Sequence, residues 1–520
     1  MKKAMLYCCM ITILALTYNC AEKESEETKD KKDRNMFGHR IPRGLTKTSE
    51  NLLDGYLMYA VPNSPMFYLI NRKGEVVHQW KGNYDGFVSY FMDDGSLMVG
   101  ALDPDFPTFG FGGPYGRLQK ISWDGKMLWD YEYAAKDSMI HHDFAVKPDG
   151  NILALAYKKI PYEQAIEMGR KPEYTPLGGP WLEKIVEIEP QGKDDGKIVW
   201  EWRIEDHLIQ DYDSTKLNFG KLEDHPELIS FNVGDSVPPV ISQDSVDVLV
   251  GMGRGRNLTT NNRGSDLFHL NAINYNEELD QIAFSSPELS EVFIIDRGVT
   301  SAEARGHSGG KRGKGGDILY RWGNPQNYNL GDSTDRKLYY QHDIRWIEKG
   351  KPGAGNLTLY NNDVPMGPDS LNYSTIYELN PPINAEGSYD LQDNNRYGPE
   401  EPYWTYVAKD TLSFYGSFIS GAHRMENGNT FINEGPKGRF FEVTPEGEIV
   451  WEYLNPYRGD IRKPDGEPHD IMPTTYFIFR ATFIPADHPA FEGKELKPLD
   501  PQPEVFKLPP PPPEDDQKDE

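Results

Sequence analysis

Three histidines stand at matching places in repeated motifs: His142 in "HHDFAVKPDGNIL", His269 in "FHLNAINYN" and His342 in "QHDIRW". Each opens an apolar stretch that is followed by a turn and a second apolar stretch. An imidazole titrates near neutrality and offers a nitrogen lone pair, so it can act as nucleophile, general acid or base, or metal ligand. A single histidine at a strand start is most often just a hydrogen-bonded residue. Three at equivalent repeat positions, out of twelve in the chain, point to a shared site. Asn271 lies two residues after His269, so strand alternation places it on the same face. In the next repeat Ser420 takes the site register, and His423, three positions later, is expected to face away. Cys8, Cys9 and Cys20 are the only cysteines, which leaves the chain beyond them without thiolate or zinc–cysteine chemistry.

The elements that must position these residues are strands. A turn glycine, two apolar residues and a pair of aromatics two apart recur in "GEVVHQW" (74–80), "GKMLWDY" (125–131), "GKIVWEW" (196–202), "GDILYRW" (316–322) and "GEIVWEY" (447–453). "EPYWTY" (401–406) is a degenerate sixth copy. Each is preceded by another strand, and before each such pair comes a hairpin such as "VSYFMDDGSLMVGA" or "SGAHRMENGNTFINEG". Two hairpins per repeat make a four-stranded sheet of roughly 70 residues. The repeats predict an all-β six-bladed β-propeller over 51–490, with "GYLMYAV" and "TYFIFRATFIP" sharing a blade to close the ring. In such a ring the starts of the innermost strands converge on the axis. One long insertion, about 205–265, separates the third and fourth units.

The formal charge of −26 over 520 residues disfavours phosphate backbones, so no nucleic-acid partner is expected. "MKKAMLYCCMITILALTYNC" (1–20) has the form of an export signal with a lipoprotein cleavage site before Cys20, the expected lipidation site. The expectation is an exported protein of the periplasm or cell surface, tied to the outer membrane only through a lipid anchor. Residues 21–50 are charged and read as a flexible tether, and 491–520 as a Pro-rich acidic tail. The glycine-rich run "GHSGGKRGKGGD" (306–317) lacks P-loop spacing and its Ser/Thr, so nucleotide binding is rejected.

Taken together, "HHDFAVKPDGNIL", "FHLNAINYN", "QHDIRW" with "LTLYNND", and "SGAHRMENGNTFINEGPKGRFFEVTPEGEIVWEY" resemble the bacterial arylsulfotransferase family. The resemblance spans about residues 130–485. It implies a propeller enzyme that moves a sulfuryl group from an aryl sulfate to a phenol without a nucleotide donor, a metal or another cofactor. It also implies His342 as the histidine that is transiently sulfated, with His142, His269 and Asn271 holding the sulfuryl group. Where the family has an arginine after "SS", this chain has Pro287. Losing one donor to a developing oxyanion typically costs about 10²–10³ in rate. Arg254, Arg256 and Arg263 in "GMGRGRNLTTNNRG" are the candidate replacements for substrate binding. Two other readings stay open: a non-catalytic surface propeller that binds an anionic or aromatic ligand, and a metalloenzyme in which the axial histidines ligate iron, copper or zinc.

Overall fold

A computed structural model describes residues 42–505 except 104, 106–107, 111–112, 234–241, 245, 247–257, 368–370 and 461–473. Six antiparallel sheets follow one another, and in blades two to five the strands run from the axis outward in chain order. The innermost strands of blades two to six are Gly86–Phe91, Ser138–Val146, Ala272–Asn276, His342–Trp346 and Gly421–Arg424. Blade one has the C-terminal strand Ala481–Pro485 innermost, paired with Gly55–Ala60 (Tyr59 opposite Ala481). The ring is therefore closed as the sequence predicts, by two segments more than 400 residues apart, and no inner edge is left open.

The repeated turn-to-aromatic motif forms the fourth strand of every blade. Its tryptophan has one role repeated around the ring: the indole N–H donates to a backbone carbonyl of the following blade. The pairs are Trp80 to Ser122 (3.1 Å), Trp129 to Asp195 (2.9 Å), Trp200 to Val299 (2.9 Å), Trp322 to Pro399 (2.7 Å), Trp404 to Pro445 (2.8 Å) and Trp451 to Arg72 (2.8 Å). A buried indole needs a partner for its N–H, and here that need fixes the spacing between blades. Between the latches lie apolar seams, such as Leu57, Ile70, Phe431, Trp451 and Phe483 where blade six meets blade one.

Both ends of the described residues depart from expectation. Gly44–Lys47 is not tether but a fifth strand on blade six, paired with Ile449–Leu454, so that blade has five strands rather than four. Arg43 anchors it with a guanidinium N–H to the Lys437 carbonyl at 2.6 Å. The segment 491–505 is not a solvated tail. Phe491 packs against Tyr56 and Phe91, and Leu499 N–H donates to the Val76 carbonyl at 2.8 Å. Phe491 and Leu496 of this acidic segment cover blade surface that would otherwise be wet. The insertion is folded where it is described. Leu208–Ile209 and Ile229–Ser230 pair in parallel, and Phe231 joins the core between blades three and four. Cys20 and the signal segment lie outside the described residues.

Trp451→Phe keeps the ring packing but removes one latch. Destabilisation of about 1–2 kcal/mol is expected, read as a lower urea midpoint, because the Arg72 carbonyl loses its donor.

Candidate active site

The site begins with two β-bulges. In blade three Ala154 pairs with Phe144 and Ala156 with Ile140, so His141, His142 and Asp143 together oppose one residue. In blade five His342 pairs with Tyr360 and Arg345 with Thr358, which bulges Asp343 and Ile344. Bulges re-aim side chains, and both place a His–Asp pair toward the axis. The backbone is strained there: φ is 50° at His142, 50° at His269, 54° at Tyr340, 60° at Asp343, 49° at Ile419 and 91° at Ser420. Left-handed conformations cost non-glycine residues about 1–3 kcal/mol each and persist where the surroundings over-determine them. His269 is three residues ahead of its strand, so alternation does not relate it to Asn271. His142 lies within its strand, and His342 alone is a strand's first residue.

The His142 and His269 rings meet edge to face with centroids 4.3 Å apart, and His342 is near enough to perturb His142 electrostatically. Asn271 is fully buried: its Nδ2 donates to the Gln341 carbonyl at 2.8 Å, and its Oδ1 accepts from Ser285 Oγ at 2.5 Å. One amide hydrogen of Asn271 remains. Phe87 and Phe479, 4.5 Å apart, flank His142. Arg254 and Arg256 lie outside the described residues; Arg263 is half-buried in the turn 258–264. Ser420 is buried, and its Oγ accepts from Gly435 N–H. His423 Nε2 accepts from Phe483 N–H at 3.1 Å, a structural contact to the closing strand.

Hydrogen bonding assigns the tautomer of His342. The Asn362 Nδ2 donates to the Gly416 and Ile419 carbonyls at 2.6 and 2.9 Å, which leaves Asn362 Oδ1 as an acceptor. That oxygen is 2.8 Å from His342 Nδ1, and the Tyr340 carbonyl is 3.0 Å away. Nδ1 therefore carries the proton and Nε2 the lone pair, which accepts from Ile419 N–H at 3.2 Å. Burial, with the Arg480 charge, pushes His342 down to about 3, so it is neutral throughout the physiological range.

His269 goes the other way. Burial alone would lower it, but Asp266, 2.5 Å from Nδ1, raises it to about 9. Behind His142 runs a relay: Glu183 Oε2 to His141 Nε2 at 2.8 Å, and His141 Nδ1 to His142 Nδ1 at 2.8 Å. Burial and the nearby Asp266 charge push Glu183 well up, favouring its protonated carboxyl. His141 is lowered by burial to about 3 and stacks on Tyr157. A protonated Glu183 donates to His141, His141 donates to His142 Nδ1, and His142 keeps its proton on Nε2 as a donor.

The residue that the sequence did not yield is Arg480. It is buried immediately before the closing strand and forms an ion pair with Asp343 (Nε to Oδ1, 2.9 Å). It also donates to the Ser420 carbonyl at 2.7 Å and to the Asn271 carbonyl at 3.1 Å. Aligning "RATFIP" with the other inner strands, rather than treating it only as closure, puts an arginine in blade one's place in the ring. At the position of Pro287, the turn Ser286–Glu291 is spanned by Arg336, whose Nη2 donates to Ser290 Oγ at 2.5 Å.

The fold and site define a six-bladed propeller with a buried, histidine-lined axial centre. The chain belongs to the arylsulfotransferase (ASST) family, whose profile matches residues 43–453. Membership marks it as a sulfotransferase enzyme, with small aryl sulfates and phenols as the substrates the family implies. No curated protein sequence matches the chain significantly. Among solved structures it is similar to a protein of unknown function from Bacteroides caccae, at 12% identity over 77% of this chain and 94% of that one, with a TM-score of 0.38. It is also similar to virginiamycin B lyase from Staphylococcus aureus, at 11% identity over 77% and 83% of the two chains, with a TM-score of 0.30. Scores this low say nothing of activity.

Asp266→Asn removes the main charge that holds His269 up. Its pKa should fall from about 9 to below the ordinary histidine value, followed by imidazole NMR titration. A raised native pKa contributes stability below about 6.5 that is lost as pH rises through about 9, so the variant should lose stability at pH 6 but little at pH 10.

Proposed function

We propose that the chain transfers a sulfuryl group from an aryl sulfate to a phenol through a sulfated His342. The observation that carries this reading is the oriented, unprotonated Nε2 of His342, fixed through the locked Asn362 amide. Nε2 attacks sulfur, an N–S bond forms, and the bond from sulfur to the aryl oxygen breaks. Nδ1 keeps its proton, held by Asn362 Oδ1. The departing phenolate takes a proton from His269, which enters as imidazolium because Asp266 raises it to about 9. The neutral His269 then removes the proton of the acceptor phenol as its oxygen attacks sulfur, restoring both histidines.

Charge on the sulfuryl oxygens needs donors, and several converge here. His142 offers Nε2–H through its relay. Asn271 has one amide hydrogen, and Arg480 Nη2 has one N–H beyond the bond to Asn271 O. Ile419 N–H, released when Nε2 engages sulfur, can turn to an oxygen. Arg480 thus takes over the charge that Pro287 does not supply. Arg254, Arg256 and Arg263 keep a role in drawing an anionic donor toward the site. Phe87 and the exposed Tyr340 offer aromatic surface to the donor ring. Cys20 remains the proposed lipid attachment point that keeps the enzyme at the cell envelope.

The test is single-turnover phenol release from a chromogenic aryl sulfate, with and without a phenol acceptor. His342→Ala should abolish release, and Arg480→Met should slow it by about 10²–10³ with the fold retained by circular dichroism. Release should fall as pH rises through about 9, when His269 loses its proton, with no acid-side loss near neutrality because His342 sits at about 3. Transfer at full rate in His342→Ala contradicts the proposal. Absence of release from every aryl sulfate tried would favour a ligand-binding propeller.

A further inference from the structure

The glycine-rich run 306–317 has no part in the axial site, yet it folds so that His307 and Asp317, at its two ends, meet a third residue, His207. His207 ends the 3-10 turn Ile204–His207 that follows the outer strand of blade three, and Asp317 directly precedes the outer strand of blade four. The close return of the run depends on glycine. A Cβ on Gly316 would lie 2.1 Å from the Ala304 carbonyl oxygen and 2.7 Å from His207 Nε2, and one on Gly315 would lie 2.3 Å from the Gly306 carbonyl oxygen.

The hydrogen positions leave a question at Asp317. His207 is fully buried and its Nε2 is 2.9 Å from the Ala304 carbonyl, which only accepts, so Nε2 carries a proton. In neutral His207, Nδ1 is then a lone pair, and it faces Asp317 Oδ1 at 2.8 Å. The same oxygen is 2.8 Å from His307 Nδ1, with the two imidazole planes at 89°. Lone pairs on buried His207 and Asp317 tolerate this approach only with a positive charge between them, a proton or a metal ion, and the convergence of a second imidazole nitrogen on the same oxygen suits a metal ion.

We propose that His207 Nδ1, His307 Nδ1 and Asp317 bind a divalent first-row transition-metal cation of the zinc type. The three ligand atoms lie within 4.8 Å of one another. Two imidazoles and a carboxylate suit a borderline cation, whereas calcium and magnesium favour all-oxygen sets. His207 Nε2–H to the Ala304 carbonyl is the outer contact that metal-bound histidines commonly make, and it leaves Nδ1 as the ligating nitrogen. The His307 side chain is 61% exposed, so a water can complete a tetrahedral set. The cation clips the start of the insertion to blade four, beside the Trp202 indole that donates to the Gly316 carbonyl at 2.7 Å. The axial histidines, the metal ligands considered from sequence, form no such three-ligand group among the described residues.

The full chain, stripped with chelator, is titrated with zinc and separately with cobalt. About one equivalent should bind and raise the melting temperature, with a visible cobalt spectrum of tetrahedral type; calcium and magnesium should do neither. Because His207 is buried and its removal risks misfolding, the deciding variant is the exposed His307→Ala. It should melt like the wild-type apoprotein, bind zinc at least about tenfold more weakly and lose most of the thermal shift. His269→Ala should leave zinc binding intact. Failure of the wild type to bind zinc overturns the site, as does a His307→Ala variant that binds and is stabilised like the wild type.

Discussion

The axial centre depends on the ion pair between Arg480 and Asp343, which exists only once the ring has closed. Arg480 stands one residue before the strand that completes blade one, and its guanidinium contacts Asp343 of blade five, the carbonyl before blade six and the Asn271 carbonyl at blade four. Burying a charge is costly unless it is paired, and removing one partner of a buried pair commonly costs about 3–5 kcal/mol. The charge is thus both a closure device and a preorganised feature of the site. Asp343 in turn accepts from Ala422 N–H at 3.1 Å and from Arg345 Nε at 2.6 Å, so the bulge beneath His342 is held from several blades at once. A His–Asp pair at a strained bulge would relax in an open ring.

Around this frame the site holds its histidines in different protonation states. His342 is buried and shares its surroundings with Arg480, which leaves it neutral. His269 rests on Asp266 and stays charged at neutral pH. Environments that push similar groups apart are how one site provides both a nucleophile and an acid. His142 gains its polarity indirectly, through His141 and Glu183, which are deeply buried and fixed by stacking on Tyr157 and by Leu270 N–H.

Much of this was legible in the sequence because repetition is a one-dimensional signal. The turn-to-aromatic motif located every fourth strand, and the tryptophans show why: one of its two aromatic positions in each blade supplies an indole that reaches the next blade's carbonyl. The inner-strand histidines were visible for the same reason. Asn362, Glu183, Asp266 and Arg480 were not, since their roles come from neighbours across blades; Glu183 is 42 residues from the histidine it contacts. The positive φ values that carry His142 and His269 off a regular strand leave no pattern of alternation to read, so Asn271 and His269 seemed to share a face when only one of them lies near a strand. Gly44–Lys47 was hidden by its charged surroundings, because a strand added at an outer edge needs little apolar content.

The central claim is that sulfur is carried on His342 Nε2 between donor and acceptor. The direct measurement is peptide mass mapping of the protein quenched at alkaline pH after exposure to an aryl sulfate with no phenol present. The account predicts one added sulfuryl group, on the peptide containing His342, that disappears when a phenol is supplied before quenching. A sulfuryl group mapped to another residue, or transfer to phenol with no labelled enzyme at any time, would contradict it.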